Sequence, residues 1–343
     1  MATSRLAIFY KDFTKISGYY SHIALGVGAM HAARVLRKHG IRTTLYSVKT
    51  PEQIAEDLRR DGPYKFAIIE APWIPTEILQ SLVDEFPRTE FLLRCHSQPA
   101  FLQADTNGMR LVREALYLQE TTTNFRVSGN SDRFCEWIRR AYGSECLELP
   151  NLYDLHRETR RHRVVPHVGP IKIGSFGATR MLKLHPTAAS AALIVARNRG
   201  VDLSFFLNVG RDDQGGQIIR VIREMFKNIP WAKLVEIPWM PWPQFRHQIA
   251  AMDACIQVSA TETFNIVTAD AIAEGIPSAV GPSIGWVPRH WQTQIDDPSA
   301  IARTVELLLD DRYAPEEGCK ALTEYNESGV IEWKKTLATA LED

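Results

Sequence analysis

The residues that invite chemistry cluster in one short run, Val258-Ser259-Ala260-Thr261-Glu262-Thr263-Phe264-Asn265-Ile266-Val267-Thr268-Ala269-Asp270. A strand reads into it, a polar loop follows, and a helix is expected to open near Ile266. Backbone N–H groups at a helix start have no intrahelical partner and sit at the positive end of the helix dipole, which suits a diphosphate. Glu262 precedes that helix and Asp270 lies eight positions later, so the two carboxylates can meet hydroxyl groups on either side of one ligand's phosphates. On spacing alone, a capped core helix with two surface acids explains the run equally well.

A second run, Ile173-Gly174-Ser175-Phe176-Gly177, reads as a strand end leading into Ala178-Thr179-Arg180-Met181-Leu182-Lys183. Its two cations, Arg180 and Lys183, suit phosphate oxygens, since a planar guanidinium binds them bidentately. A solvated basic loop is the plainer reading. His96 follows an expected strand directly, where a histidine either packs structurally or touches a ligand. Residues 156–163 carry four arginines and two histidines, as a solvated linker or as a surface for a phosphate backbone. Leu25-Gly26-Val27-Gly28 contains a G-x-G but no third glycine, and it lies inside a helical pattern, so a dinucleotide oxidoreductase does not fit.

Alternating short strands and longer helices must position these residues. In the first half, strands are expected at 6–10, 43–48, 66–70, 90–95 and 124–127, with helices at 23–38, 51–60, 75–85, 109–117 and 132–142. The second half repeats the pattern, with strands at 171–176, 203–208, 234–237, 254–258 and 278–280. Its helices are expected at 187–199, 217–226, 244–252, 266–274 and 298–309, then 315–325 and 331–341. Such βα alternation predicts parallel sheets covered on both faces, here two doubly wound Rossmann-like α/β domains. The expected division is 1–155, a basic linker at 156–170, a second domain at 171–325 and a final helix at 326–343. Ligands of such sheets bind beyond the carboxyl ends of the strands, and the expected site is a cleft between two facing domains.

Composition excludes other classes. The 343 residues hold 40 basic and 40 acidic side chains, and each half of the chain is within one charge of neutral. That balance lacks the strongly basic domain of a dedicated nucleic-acid binder. No apolar run is long enough to span a bilayer, and the amino terminus does not read as a signal peptide. The five cysteines are scattered without C-x-x-C spacing, as expected of reduced, buried thiols in a cytoplasmic protein.

The run around Glu262 resembles the signature of family 4 glycosyltransferases with the GT-B fold, an E-x-F-G sequence with a second Glu eight residues after the first. Glu262, Phe264 and the spacing are retained; Asn265 replaces the glycine and Asp270 the second Glu. The following Ala271-Ile272-Ala273-Glu274-Gly275-Ile276-Pro277 is similar to the family's turn into the next strand. Gly177 with Lys183 resembles its G-R-x4-K loop, with Ala178 at the arginine position and Arg180 two residues later. Ser128, the run Leu149-Pro150-Asn151, and Ile331-Glu332-Trp333 at the start of a final helix look like further family landmarks. The compact length and the Glu-Thr-Phe-Asn variant look similar to divergent transferases of phage type.

The resemblance implies a retaining transfer from a nucleotide-diphosphate sugar, most simply a UDP-sugar, by front-face attack in which the leaving phosphate takes the acceptor's proton. It implies that Glu262 contacts the donor sugar, that Asp270 holds the ribose and that Lys183 and Arg180 clamp the diphosphate, with Gly177, Thr263, Phe264, Asn265 and Ile266 lining the donor. His96 takes a place facing the cleft. Gly18, Tyr19 and Ser21 fall where the family has an acceptor-side glycine-rich loop, and the final helix packs back on the first domain. The chain has no Asp-x-Asp motif, so no metal or other cofactor is expected beyond the donor. The acceptor hydroxyl is left open: a soluble glycan, a small molecule, or a hydroxymethylated DNA base, for which Arg160 and Arg161 would meet the backbone. A non-catalytic sugar-binding module of the same fold is the competing class.

Overall fold

A computed structural model describes residues 5–12, 23–103, 105–155, 169–210 and 216–339. The chain divides into two compact units, one formed by residues 1–154 with 325–343 and the other by 155–324.

The first unit runs β1 (Arg5–Lys11), α1 (Ile23–Lys38), β2 (Arg42–Val48), α2 (Glu52–Asp61), β3 (Phe66–Glu70), α3 (Thr76–Glu85) and β4 (Glu90–Cys95). It continues through α4 (Pro99–Leu102), α5 (Thr106–Thr121), β5 (Phe125–Gly129), α6 (Asp132–Tyr142) and β6 (Leu147–Glu148). Its six parallel strands lie in the order β2-β1-β3-β4-β5-β6. The inner strands β1, β3, β4 and β5 are largely buried on both faces, as their apolar runs require. Ala7 and Phe9 point into one core with Phe91 and Phe125, while Leu6 and Ile8 point into the other with Phe66 and Leu92.

The second unit runs β7 (Ile171–Ser175), α7 (His185–Arg199), β8 (Leu203–Val209), α8 (Gly216–Phe226), β9 (Ala232–Pro238), α9 (Trp242–Ala250) and β10 (Ala254–Gln257). After it come α10 (Ile266–Ala273), β11 (Ser278–Val280), α11 (Pro298–Asp310) and α12 (Ala314–Thr339), the last crossing into the first unit at Tyr325. The five parallel strands are ordered β11-β10-β7-β8-β9. The chain therefore builds outward from β7 to β9, then returns to β10 on the other side of β7. That reversal is a topological switch point, the place at which sheets of this kind bind ligands beyond the carboxyl ends of their strands.

Two local differences from the sequence reading have plain causes. The pair of helices expected at 315–325 and 331–341 is one continuous helix, α12. Ser328-Gly329 weakens helix propensity, yet Gly329 sits so close to Leu152 that a Cβ there would lie 2.8 Å from Leu152 Cδ2. Packing against Leu149 and Leu152 through Val330, Trp333 and Leu337 carries the helix across its weak point. Helix α9 begins at Trp242 rather than Gln244, because Pro243 falls in its first turn, where a missing N–H costs nothing.

Candidate functional site

The loops after β7 and β10 are built as one object. At the start of the first, Gly177 has φ 117°, a left-handed conformation that favours glycine, and its N–H donates to the buried Asn208 Oδ1 at 3.1 Å. A turn of 3-10 helix, Met181–Lys183, ends at Leu184, which takes φ 49° before α7 opens. The second loop docks on that turn: the Ala260 N–H and the Ser259 hydroxyl both donate to Leu182 O, at 2.8 and 2.9 Å. Through this docking Lys183 Nζ forms an ion pair with Glu262. Both side chains keep some solvent access, 20% and 11%, so both are available to a ligand.

His185, absent from the sequence reading, braces the first loop from beneath. It is fully buried between Ser175 Oγ at 2.9 Å and Ala178 O at 3.4 Å. A carbonyl only accepts, so Nε2 carries the proton and donates to Ala178, while Nδ1 accepts from the Ser175 hydroxyl. Burial, with Lys183 nearby, lowers its pKa to about 4 and keeps it neutral.

The backbone at Asn265 accounts for an asparagine where the resembling signature has a glycine. It stands before α10 with φ 62°, a left-handed position for which glycine is the usual residue and which asparagine tolerates. Its Oδ1 also caps the helix, accepting from the Thr268 N–H at 2.9 Å. The amides of Ile266 and Val267 remain in the first turn, at the positive end of the dipole. Phe264 is almost wholly buried and stacks on Trp286, with ring centroids 5.2 Å apart, and the Trp286 indole N–H donates to Phe264 O at 2.7 Å. Its ring therefore anchors the loop. Asp270 is buried inside α10 and accepts from Trp242 Nε1 at 3.0 Å. Thr263 is partly exposed beside Glu262, and Arg180 is partly exposed at the N-cap of the 3-10 turn.

In the first unit, His96 belongs to a buried network at the carboxyl end of the sheet. Glu70 and Arg94 are register partners at the ends of β3 and β4, and neither is exposed. Arg94 Nη1 donates to both Glu70 oxygens at 2.9 and 3.0 Å, while its Nε donates to Leu149 O at 2.7 Å and Nη2 to Asn151 Oδ1 at 2.5 Å. The Trp333 ring covers the guanidinium, 5.4 Å from ring centroid to Arg94 Cζ, and donates its N–H to Pro150 O. Burial alone pushes the Glu70 carboxyl up, but Arg94 and His96 outweigh it and hold its pKa below the ordinary carboxylate value. Burial lowers the pKa of His96 by more than Glu70 raises it, so the imidazole is neutral at pH 7. Asn130 Nδ2 donates to His96 Nδ1 at 3.2 Å, so Nε2 carries the proton and donates to Glu70. His96 thus has both ring nitrogens engaged and 16% of its side chain exposed.

Of the residues singled out in the sequence, Lys183, Arg180, Gly177, Glu262, Thr263, Phe264, Asn265, Ile266 and Asp270 all fall in the two docked loops and α10. His96 stands in the other unit. Gly18, Tyr19, Ser21, Arg160 and Arg161 lie outside the described residues. Ser128 donates to Leu93 O at 3.1 Å and is buried between strands. Sequence reasoning missed Glu70, Arg94, Asn208, Ser259, His185, Trp242 and Trp286. Opposite charges closing two successive apolar strands were a legible signal for the first pair; the others act through contacts no local pattern marks. Among the described residues, His290, Asp311 and Glu317 have ligand atoms within 4.8 Å of one another, and none of the three belongs to the two docked loops. No helix among the described residues is long and apolar enough to cross a membrane.

No protein-family model matches this sequence, and a search of curated proteins found no match. Solved structures do match in fold. Alr3699/HepE of Anabaena, solved with UDP and glucose, superposes with a TM-score of 0.59 at 13% identity, covering 98% of this chain and 99% of that one. Sucrose-phosphate synthase of Thermosynechococcus elongatus gives 0.60 at 15% identity, over 99% and 98%. TarM of S. aureus, solved with UDP, gives 0.57 at 12% identity, and here the match covers 79% of this chain but only 55% of the longer TarM chain. These neighbours are GT-B glycosyltransferases, and the chain has the GT-B fold.

Proposed function

We propose that the chain is a UDP-sugar glycosyltransferase whose donor is held by the second unit. The Lys183–Glu262 pair is the observation that carries this reading: at one switch point it sets a cation fit for a diphosphate beside a carboxylate fit for sugar hydroxyls. Lys183, Arg180 and the first amides of α10 neutralise the β-phosphate as it leaves, Glu262 orients the sugar and Asp270 receives the ribose. The structural neighbours support the choice of nucleotide, since Alr3699/HepE and TarM were both solved with UDP.

The reaction follows the retaining, front-face course. The acceptor oxygen bonds to the anomeric carbon, the bond from that carbon to the phosphate oxygen breaks, and the acceptor's proton passes to the departing phosphate. Cationic side chains do the charge work, so no metal is required. His96, held neutral with both ring nitrogens engaged, offers only its partly exposed ring edge at the carboxyl edge of the first sheet. The acceptor is a hydroxyl on a glycan or small molecule. This choice is supported by TarM, which was solved with α-GlcNAc-glycerol.

The test is turnover of UDP-sugars with and without EDTA, followed by UDP release and by the anomeric NMR signals of the product. The acceptors would include glycans, glycerol glycosides and hydroxymethylated DNA. The reading expects EDTA-insensitive UDP release, loss in Glu262→Gln and a product anomer matching the donor. Binding of UDP-sugar without turnover on any acceptor would identify a non-catalytic module instead.

A further inference from the structure

The acid at position 270 is one methylene shorter than the Glu of the pattern it resembles, and it is buried. Its reach toward a ligand is therefore set by what surrounds it. Trp242 Nε1 donates to Asp270 Oδ1 at 3.0 Å, from a helix start flanked by Pro241 and Pro243. One turn further along α9, Arg246 pairs with Glu274, which lies four residues beyond Asp270. Arg246 also lies over the Trp242 ring, 5.3 Å from its centroid. Trp242 with Arg246, and Asp270 with Glu274, are each spaced one helical turn apart, so the two contacts form a two-rung lock between α9 and α10. An indole N–H only donates and a carboxylate only accepts, so the first rung fixes the direction in which Asp270 Oδ1 points.

We propose that Trp242 is a positioning residue for ribose recognition: its indole N–H holds the Asp270 carboxylate where it accepts from the ribose hydroxyls of the nucleotide, and the Arg246–Glu274 rung holds the indole. The inference rests on the donor-site reading of Asp270 given above. A site built to hydrogen-bond a hydroxyl discriminates strongly against the analogue that lacks it, because its polar group is then left without that partner. The readout is therefore discrimination rather than affinity alone.

The experiment measures binding of UDP and of 2′,3′-dideoxy-UDP to the full chain by calorimetry, in wild type, Trp242→Phe, Asp270→Asn and Asp270→Glu/Trp242→Phe. Wild type is expected to prefer UDP by about a hundredfold or more. Trp242→Phe keeps an aromatic ring but loses the donor, and its preference should fall to about threefold, near that of Asp270→Asn. The double variant restores the longer acid and should recover most of the preference. The proposal is overturned if Trp242→Phe discriminates as wild type does while Asp270→Asn does not. Should wild type bind neither nucleotide, the donor-site reading itself fails, an outcome distinct from the first.

Discussion

Lys183 and Glu262, 79 residues apart, form an ion pair across two loops that leave neighbouring parallel strands. Before any ligand arrives, each therefore neutralises the other, and a diphosphate must compete with Glu262 for the lysine. Replacing Glu262 by Gln should free Lys183, leaving UDP binding unchanged or tighter, while turnover of the UDP-sugar falls by on the order of a hundredfold. Calorimetry on UDP and steady-state kinetics on the sugar nucleotide measure the two effects separately. Parallel losses in both would count against separate roles for the two side chains.

Asn265 meets two demands at once, a left-handed backbone and a helix cap. Asn265→Ala fails both and should cost about 1–3 kcal/mol. Asn265→Gly satisfies the backbone and should cost much less, since glycine at an N-cap loses only a few tenths. Urea unfolding of the two variants tests the order; equal costs would assign the whole effect to the cap.

His185 makes the second unit acid-sensitive. Burial lowers its pKa from 6.5 to about 4 in the folded chain, so between these values the unfolded state binds more protons. Its contribution is then complete above pH 6.5 and is lost as pH falls toward 4. Between pH 7 and pH 4.5 that loss amounts to about 2–3 kcal/mol. Urea midpoints recorded across this range should drop less steeply in His185→Gln than in wild type.

Arg94 holds the first unit through Glu70, the Leu149–Asn151 segment and Trp333. Arg94→Met leaves the Glu70 carboxylate buried without its cation and should cost about 3–5 kcal/mol. Glu70→Gln/Arg94→Met should recover much of that loss, which thermal unfolding would register. Because the Glu70 pKa is depressed in the fold, the pair's stabilisation is present above the ordinary carboxylate value of 4.5 and fades as pH falls through the folded value.

The sheets were legible because buried parallel strands are short apolar runs, and 66–70, 90–95 and 278–280 have the boundaries expected of them. The docked loops were legible because charge and glycine mark them: Gly177, Lys183 and Glu262 all lie between a strand end and a helix start, and Asp270 lies one turn inside α10. Other features depend on contacts distant in sequence. Strand β6 has only two residues and exists through pairing with β5. The continuity of α12 depends on Leu152, and the orientations of Asp270 and His96 depend on Trp242 and Glu70, which spacing does not connect to them.

The most direct test of the donor site is calorimetric titration of UDP-, GDP-, ADP- and TDP-sugars into the full chain in EDTA, with Lys183→Ala as the comparison. The expected result is metal-independent binding of a UDP-sugar, weakened about tenfold or more in Lys183→Ala. Binding by no nucleotide sugar, or equal affinity in Lys183→Ala, would contradict the assignment of the β7 and β10 loops as the donor site.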